Sequence, residues 1–391
     1  MNNYDVIIIG AGAAGMMCAI AAGQRGRKVL LLDHTDQIGK KVLISGGGRC
    51  NFTNLLIEPE NYLSNNPHFC KSALSRFSQY DFIDFVEKHG VSYYEKISGQ
   101  LFCNGKSAEI VNILLKECHT VGISIQTKCA IEKINKENDF TISTNLGDYF
   151  AESLVIATGG LSMPKIGATG FGFTVAKQFG IKVIACQPGL VPLTFSDELL
   201  KGLIDLSGIS VDASVSCNGQ TFRGFILFTH KGLSGPAILQ ISNYWQLGDE
   251  IIINLLPDID LEKTIKNWQK ERPKSELKKQ IGYLLTQRLA RIFLRSSYYD
   301  KPVKQYDEKE IIVIASIFHQ WRISPSGTEG YRKAEVTKGG IDTNELSSKT
   351  FETRKVKGLY FVGEVIDVTG WLGGFNLQWA WSSGYCAGNY V

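Results

Sequence analysis

Three glycine-rich stretches hold the residues whose types and spacing could do chemistry. In the first, Gly10, Gly12 and Gly15 give G-x-G-x-x-G. In that spacing the first glycine permits a tight turn, the second lets a backbone approach a pyrophosphate, and the third lets helix and strand pack closely. An acid, Asp33, follows at about the ~20-residue offset where a carboxylate can accept from an adenosine ribose, and its charge disfavours a 2′-phosphate. The second stretch, SGGGRCNFTN, sets Gly46, Gly47 and Gly48 before Arg49, Cys50, Asn51 and Asn54. It offers free backbone N–H groups and carboxamides, and Lys40, Lys41 and Arg49 add positive charge suited to phosphates or an electron-rich ring edge. In the third, GEVIDVTGWLGGFNLQWAW, Glu364 and Asp367 precede Gly373, Gly374 and Asn376.

The elements that must position these residues are legible around them. Residues 6–9 are continuously apolar and β-branched, as in a buried parallel strand. A helix is expected from Ala11 to about Arg25, ended by Gly26, and residues 29–32 form a second strand with Asp33 at its tip. The helix start adds unpaired N–H groups and the positive end of a dipole. This βαβ unit specifies a dinucleotide and leaves FAD and NAD both open. Further on, residues 68–89 read as a helix, 91–105 as a hairpin turning near Ser98 and Gly99, 108–118 as a helix and 123–134 as a strand. A hairpin over 140–150 follows, then a buried strand, SLVIATGG, that leaves the sheet at Thr158, Gly159 and Gly160. GATGFGF, 167–173, reads as a loop entering a helix over 174–179.

The character changes near 188–192. Residues 193–256 alternate as short strands, with Val211, Ala213, Val215 and Cys217 on one face, and 257–332 turn helical and charged. The expected organisation is therefore 1–192, an insert over 193–332, and 333–391. The charged helices of the insert read as solvated faces.

The C-terminal loop bears on the cofactor. A simple nicotinamide enzyme does not need a second acidic glycine loop, whereas FAD is long and must be met separately at its ribityl–pyrophosphate stretch and at its ring. A helix starting at 373–375 can point its dipole at the flavin N1–C2=O edge, which becomes negative on reduction. Asn376 could hydrogen-bond the pyrimidine ring, and Glu364 or Asp367 could face ribityl hydroxyls or a nearby N–H. Trp371, Trp379 and Trp381 read as core.

Taken together, IIIGAGAAG, SGGGRCNFTN, IATGG, AEVTKGGI and FVGEVIDVTGWLGGFNLQWAW resemble the BaiN/YhiN-like NAD(P)/FAD-dependent oxidoreductase family. Its members include aminoacetone-oxidase-like and 3-dehydro-bile-acid-reductase-like proteins. The resemblance spans essentially the whole chain. It implies an α/β fold: a discontinuous, glutathione-reductase-type (Rossmann-like) FAD-binding domain with an inserted β-barrel-like plus helical domain. It also implies non-covalent FAD contacts at Gly10, Gly12, Ala13, Ala14, Gly15, Asp33, His34, Lys41, Gly46, Gly47, Gly48, Arg49, Cys50 and Asn51. Further contacts are implied at the backbone of Ala130, at Ala157, Thr158, Gly159 and Gly160, at Gly363 and Glu364, and at Gly374, Phe375, Asn376 and Leu377.

Composition narrows the rest. At 391 residues two or more domains are expected, and 44% hydrophobic with 20% charged residues describes an ordinary globular protein. A net charge of +4 gives no argument for nucleic acid. Nine scattered cysteines without C-x-x-C pairs fit reduced, buried thiols and no metal site. With no signal-peptide pattern and no apolar run near ~20 residues, a cytoplasmic protein off the membrane is expected. The sequence carries no signal for oligomeric state.

Cys50 lacks a nearby partner, so dithiol exchange is not expected and a structural thiol is. A dedicated NAD(P)H domain is absent, so a nicotinamide would dock transiently. The resulting expectation is hydride transfer between FAD and a small-molecule substrate held beneath the insert. His230 and Lys231 are the candidate catalytic residues there, and Arg322, Tyr331 and Arg332 could bind a carboxylate or carbonyl. Three other readings remain: an oxygen-using oxidase of small amines or aminoketones, an ene-reductase of enones, and a non-catalytic flavin-binding or RNA-modification-associated module.

Overall fold

The computed structural model describes residues 3–97, 99–294 and 301–391; Ser98, at the expected hairpin turn, lies outside the described residues. The chain divides into two compact units, 1–188 with 335–391, and 189–334. The sequence-based bounds of the insert were 193 and 332.

The first unit is built on a seven-stranded sheet. Its order is Ser124–Gln126, Val29–Leu32, Asn3–Ile9, Gly147–Ile156, Phe140–Thr144, Ile131–Lys136, with Leu359–Phe361 also paired to Gly147–Ile156. Asn3–Ile9 runs parallel to Val29–Leu32 and to Gly147–Ile156, which in turn runs parallel to Leu359–Phe361. The register places the site: Ile9 sits opposite Leu32 and Ile156, and Ile156 opposite Phe361. Four chain segments therefore leave the sheet at one edge, beginning at Gly10, Asp33, Ala157 and Val362. That carboxyl edge is where open parallel sheets bind ligands.

The first helix, Ala13–Gln24, is buried from Ala14 to Ala22. Its small residues let the terminal helix, Phe375–Gly388, lie directly against it. A Cβ on Gly384 would sit 2.3 Å from Ala14 O, and one on Gly388 2.5 Å from Cys18 O. Four residues apart, these glycines share one helix face, so the backbones touch where any side chain would hold them apart.

Several expectations change in detail, and the helix expected over 174–179 starts earlier, as Phe171–Gln178. Residues 123–134 form two strands, Ser124–Gln126 and Ile131–Lys136, because Lys128 takes a left-handed φ of +53 between them. The hairpin arm and the SLVI strand are one ten-residue strand, Gly147–Ile156: its start pairs antiparallel with Phe140–Thr144 and its end parallel with Asn3–Ile9. Residues 68–89 hold two helices, Lys71–Arg76 and Gln79–Lys88, separated at Phe77 and restarted by a Ser78–Asp81 capping box. The 34–54 loop contains a short helix, Lys40–Ile44, a tight turn at Ser45–Gly48, and a strand, Asn51–Asn54, paired antiparallel with Gln100–Cys103.

The second unit carries an antiparallel sheet ordered Trp321–Ile323, Ile251–Asn254, Ser210–Cys217, Gln220–Phe228, Gly232–Ser234, Leu193–Thr194, Gly327–Thr328. Val211, Ala213, Val215 and Cys217 are buried in alternation, as their spacing requires. It also holds helices Asp197–Leu203, Pro236–Ser242, Leu261–Glu271, Leu277–Leu284, Gln287–Phe293 and Glu308–His319. Among the described residues no helix is long and apolar enough to cross a membrane.

Candidate cofactor site

At the first strand tip, glycine is required by close approach. Gly10 has φ +111 and a Cβ there would lie 2.4 Å from Ala157 O, while a Cβ on Gly15 would lie 1.9 Å from Gly10 O. Gly12 is different: a Cβ would meet nothing within 4 Å. The helix start thus opens onto free space, and helix geometry leaves the N–H groups of Ala13, Ala14 and Gly15 without i−4 carbonyls. Asp33 accepts from Ala11 N–H at 2.9 Å through Oδ2, and from Thr35 N–H and Oγ1, both at 2.8 Å, through Oδ1. The carboxylate braces the turn and keeps lone pairs for a hydroxyl. His34 Nδ1 stands 3.8 Å from Asp33 Oδ1. Ala130 uses its N–H and carbonyl on Asn145, which leaves a ligand one carbonyl lone pair.

A second cluster ties distant loops together. Lys41 Nζ donates to Ser162 Oγ at 2.7 Å and pairs with Glu364. The other Glu364 oxygen accepts from Ser162 Oγ at 3.0 Å and from Thr337 N–H at 2.9 Å. Thr337 Oγ1 accepts from Leu161 N–H at 2.7 Å and Ser162 N–H at 3.1 Å. Gly160 fits against this cluster, since a Cβ there would be 2.3 Å from Thr337 Oγ1. The ammonium of Lys41, expected to serve a phosphate or ring edge, is therefore paired with Glu364. Ser162 received no role from the sequence, because a lone serine after a glycine turn carries no signal. Beside the cluster, burial raises the carboxyl pKa of Glu335 and the charge of Lys41 opposes that shift. Gly159 opens onto free space, and Thr158 Oγ1 is buried without a hydrogen-bond partner.

At the third loop the two ends of the chain are stitched together. Asn54 Nδ2 donates to Gly373 O at 2.8 Å, Trp381 Nε1 to Phe52 O at 2.8 Å, and Thr53 Oγ1 to Gln378 Oε1 at 2.6 Å. With its carboxamide turned to suit its neighbours, Asn51 accepts from Gly374 N–H at 3.2 Å and donates to Leu101 O and Thr53 O. Gly374 has φ +99, and a Cβ there would be 2.4 Å from Thr53 O. The Asn376 side chain, expected on a pyrimidine ring, closes its own loop. It accepts from Gly370 N–H at 2.8 Å and donates to Gly370 O at 2.9 Å and Trp371 O at 3.1 Å. What the loop leaves for a ligand is backbone: the helix start at Phe375, Asn376 and Leu377. Asp367 accepts from Asn65 N–H at 3.0 Å, and burial raises its pKa. Gly363 has φ +77 and packs against Ala14. Trp379 and Trp381 are buried core residues.

In the glycine turn, Gly47 and Gly48 face open space, and Arg49 Nη1 reaches Tyr94 Oη at 3.2 Å. Cys50 is buried with φ +48, and its thiol is pushed up to about 12 by burial. A thiol so raised is no nucleophile at neutral pH, which agrees with the structural reading. All nine cysteines are free.

The candidates in the second unit lie at its surface. His230 and Lys231 are exposed in the turn after Gln220–Phe228, with Lys231 Nζ 3.4 Å from Glu329. Arg322 pairs with Glu250 at 2.7 Å; Arg332 is exposed and Tyr331 half-buried.

An N–H array at a glycine-flanked helix start, a ribose-directed acid and a second helix start fit FAD. Fold and site define a flavoprotein with a Rossmann-type FAD-binding fold. The chain belongs to the family described as HI0933-like protein Rossmann domain, whose model matches residues 4–390. It is 51% identical over 395 residues to a ribosomal RNA dihydrouridine synthase of Escherichia coli (strain K12), covering 100% of this chain and 99% of that one. It is 46% identical over 396 residues to the protein of the same name from Haemophilus influenzae, covering 99% and 98%. A 3-dehydro-bile acid delta(4,6)-reductase of Clostridium scindens is 27% identical over 97% of each chain. The fold is also that of a 3-ketosteroid-delta4-(5alpha)-dehydrogenase from Rhodococcus jostii RHA1, with TM-score 0.50 and 14% identity over 99% of this chain and 97% of that one. An open flavocytochrome c3 fumarate reductase has TM-score 0.50 and 16% identity over 99% and 78%. The family resemblance read from the motifs thus holds at the level of an FAD-dependent oxidoreductase family with a bile-acid reductase among its relatives.

Proposed function

We propose that this protein is an FAD-dependent reductase of a carbon–carbon double bond conjugated to a carbonyl, acting on a uridine of ribosomal RNA with NAD(P)H as transient reductant. The observation that carries this reading is the 51% identity over the full length to a ribosomal RNA dihydrouridine synthase. The bile-acid reductase supports the bond class, since a 3-keto-Δ4,6 system and the C5=C6–C4=O unit of uracil are both conjugated enones. The net reaction breaks the C5=C6 π bond, adds one hydride and one proton, and oxidises NAD(P)H to NAD(P)⁺. This replaces the free small molecule expected from the sequence with a base inside an RNA, which must leave its stack to be reduced.

FAD, when bound, supplies two-electron hydride chemistry. The protein's part is to hold it. Ala13, Ala14 and Gly15 would present N–H groups to the pyrophosphate and Asp33 would accept from the ribose, while Glu364 with Lys41 pins the loops between. The start of the Phe375–Gly388 helix would offer N–H groups and its positive end to the ring, where they would favour negative charge.

A free enone is the second reading, favoured by the bile-acid reductase relative. Anaerobic stopped-flow absorbance near ~450 nm, where the flavin carries the signal, separates the two. The holoprotein should bleach with NADH or NADPH, then recover at least ~10-fold faster with protein-free ribosomal RNA than with buffer. Recovery with a 3-keto-Δ4 steroid but not with RNA would favour the second reading. Recovery only with oxygen, releasing peroxide, would overturn both.

A further inference from the structure

The helices of the second unit carry an uneven charge. Residues 261–294 hold nine lysines and arginines against three glutamates, a formal +6, in a chain whose total is +4. The rest of the protein is therefore net negative, and the net positive excess lies in 34 consecutive residues.

Folding turns that charge outward. Helix Leu261–Glu271, capped by Asp260, buries Leu261, Ile265 and Trp268 and so exposes Lys263 and Lys270 on its far side. Lys274 is exposed in the connection. Helix Leu277–Leu284 buries Leu277, Gln280 and Ile281, leaving Lys279 exposed and, one turn on, Tyr283 with 66% of its surface in solvent. Arg291 is exposed on the next helix. Lys263, Lys270, Lys274, Lys279 and Arg291 form no ion pair among the described residues, whereas Lys266 is taken by Glu308 at 2.8 Å. An ordinary solvated face mixes both signs. Here the cations outnumber Glu262, Glu271 and Glu276 three to one, and Tyr283 stands one helical turn from Lys279.

We propose that the exposed side of residues 261–294 is a docking surface for the phosphate backbone of ribosomal RNA, with Tyr283 as a stacking platform for an unpaired base. The inference rests on the RNA-substrate reading above and deepens it. Cations without carboxylate partners are those that gain most from phosphates, because each contact releases a condensed counterion. An exposed ring among them suits a base, whose flat face it can cover.

The test compares the FAD-loaded wild-type chain with K263Q/K270Q/K274Q/K279Q, glutamine keeping the helical preference of lysine. The probe is deproteinised ribosomal RNA in filter binding across a salt series. The quadruple variant should keep its FAD content and melting temperature. It should bind at least ~10-fold more weakly, with the slope of log affinity against log salt reduced by about 2–3, at ~0.7 per lost phosphate contact. Tyr283→Ala should weaken binding about 5-fold or more with the slope unchanged. Wild-type affinity and slope in the quadruple variant would overturn the surface. So would lysine-dependent binding to phosphatidylglycerol vesicles with RNA binding unaffected. The two readings fail separately. Lysine-dependent binding by a protein whose flavin never recovers on RNA supports the surface and removes the substrate reading. Recovery on RNA together with unchanged variant binding does the reverse.

Discussion

Gly384→Val is expected to purify with little or no flavin and to unfold about 3 kcal/mol more easily than the wild type, the upper part of the range for overpacking a core. The added side chain would begin 2.3 Å from Ala14 O and 3.1 Å from Ala14 C. Those are backbone atoms of the first turn of the Ala13–Gln24 helix, so no rotamer change relieves the clash; one helix must move. Ala14 also contributes an N–H to the proposed pyrophosphate cradle, and a shift of the helix misaligns all three donors together. Thermal melting reads the first effect, as a fall of roughly 6–12 °C. The ratio of visible to ultraviolet absorbance reads the second. Gly202→Ala is the control: a Cβ there meets nothing within 4 Å, and its melting point should stay within about 3 °C of wild type. A Gly384→Val protein that keeps its flavin and melts like wild type would mean the two helices do not meet backbone to backbone.

Glu364→Ala carries the second large effect. The carboxylate, 17% exposed, accepts from Lys41, Ser162 and Thr337 N–H at once. Removing it leaves an ammonium and an N–H without their acceptor, which costs about 3 kcal/mol in a partly buried setting. Lys41→Met leaves Glu364 its Ser162 and Thr337 donors, so it should cost less, about 2 kcal/mol. The double variant Lys41→Met/Glu364→Ala should fall short of additivity by at least ~1 kcal/mol, because the second change removes an already orphaned partner. FAD affinity, by fluorescence quenching, should drop at least ~10-fold in Glu364→Ala, a loss of ~1.4 kcal/mol of binding. Strict additivity with unaltered FAD affinity would show that the Lys41–Glu364 pair does not brace the site.

The sequence displays the first strand, helix and second strand because each is a local pattern: an apolar run, a glycine fingerprint, an acid at a fixed offset. The terminal helix start is legible for the same reason, through Gly373 and Gly374. Pairings across the chain are not. Lys41 and Glu364 are 323 residues apart, and nothing local distinguishes a lysine aimed at a phosphate from one aimed at a carboxylate. Asn376 shows the same difficulty at short range, since a carboxamide beside a glycine loop can serve a ligand or the loop itself, and here it serves the loop. In sequence Gly147–Ile156 reads as two pieces because its alternating start and continuous end follow different rules of burial, antiparallel and parallel. The Gly384–Gly388 spacing was present throughout but gains meaning only once Ala14 and Cys18 lie across from it. The net charge of residues 261–294 is hidden in the whole-chain value of +4 and shows only when that segment is counted by itself.

The most direct test of the account is mass analysis of nucleosides from protein-free ribosomal RNA incubated anaerobically with the holoprotein and NADPH or NADH. The account predicts a uridine heavier by two hydrogens, formed in proportion to nicotinamide oxidised and absent in the Glu364→Ala protein stripped of FAD. Nicotinamide oxidation with every uridine unchanged would contradict it.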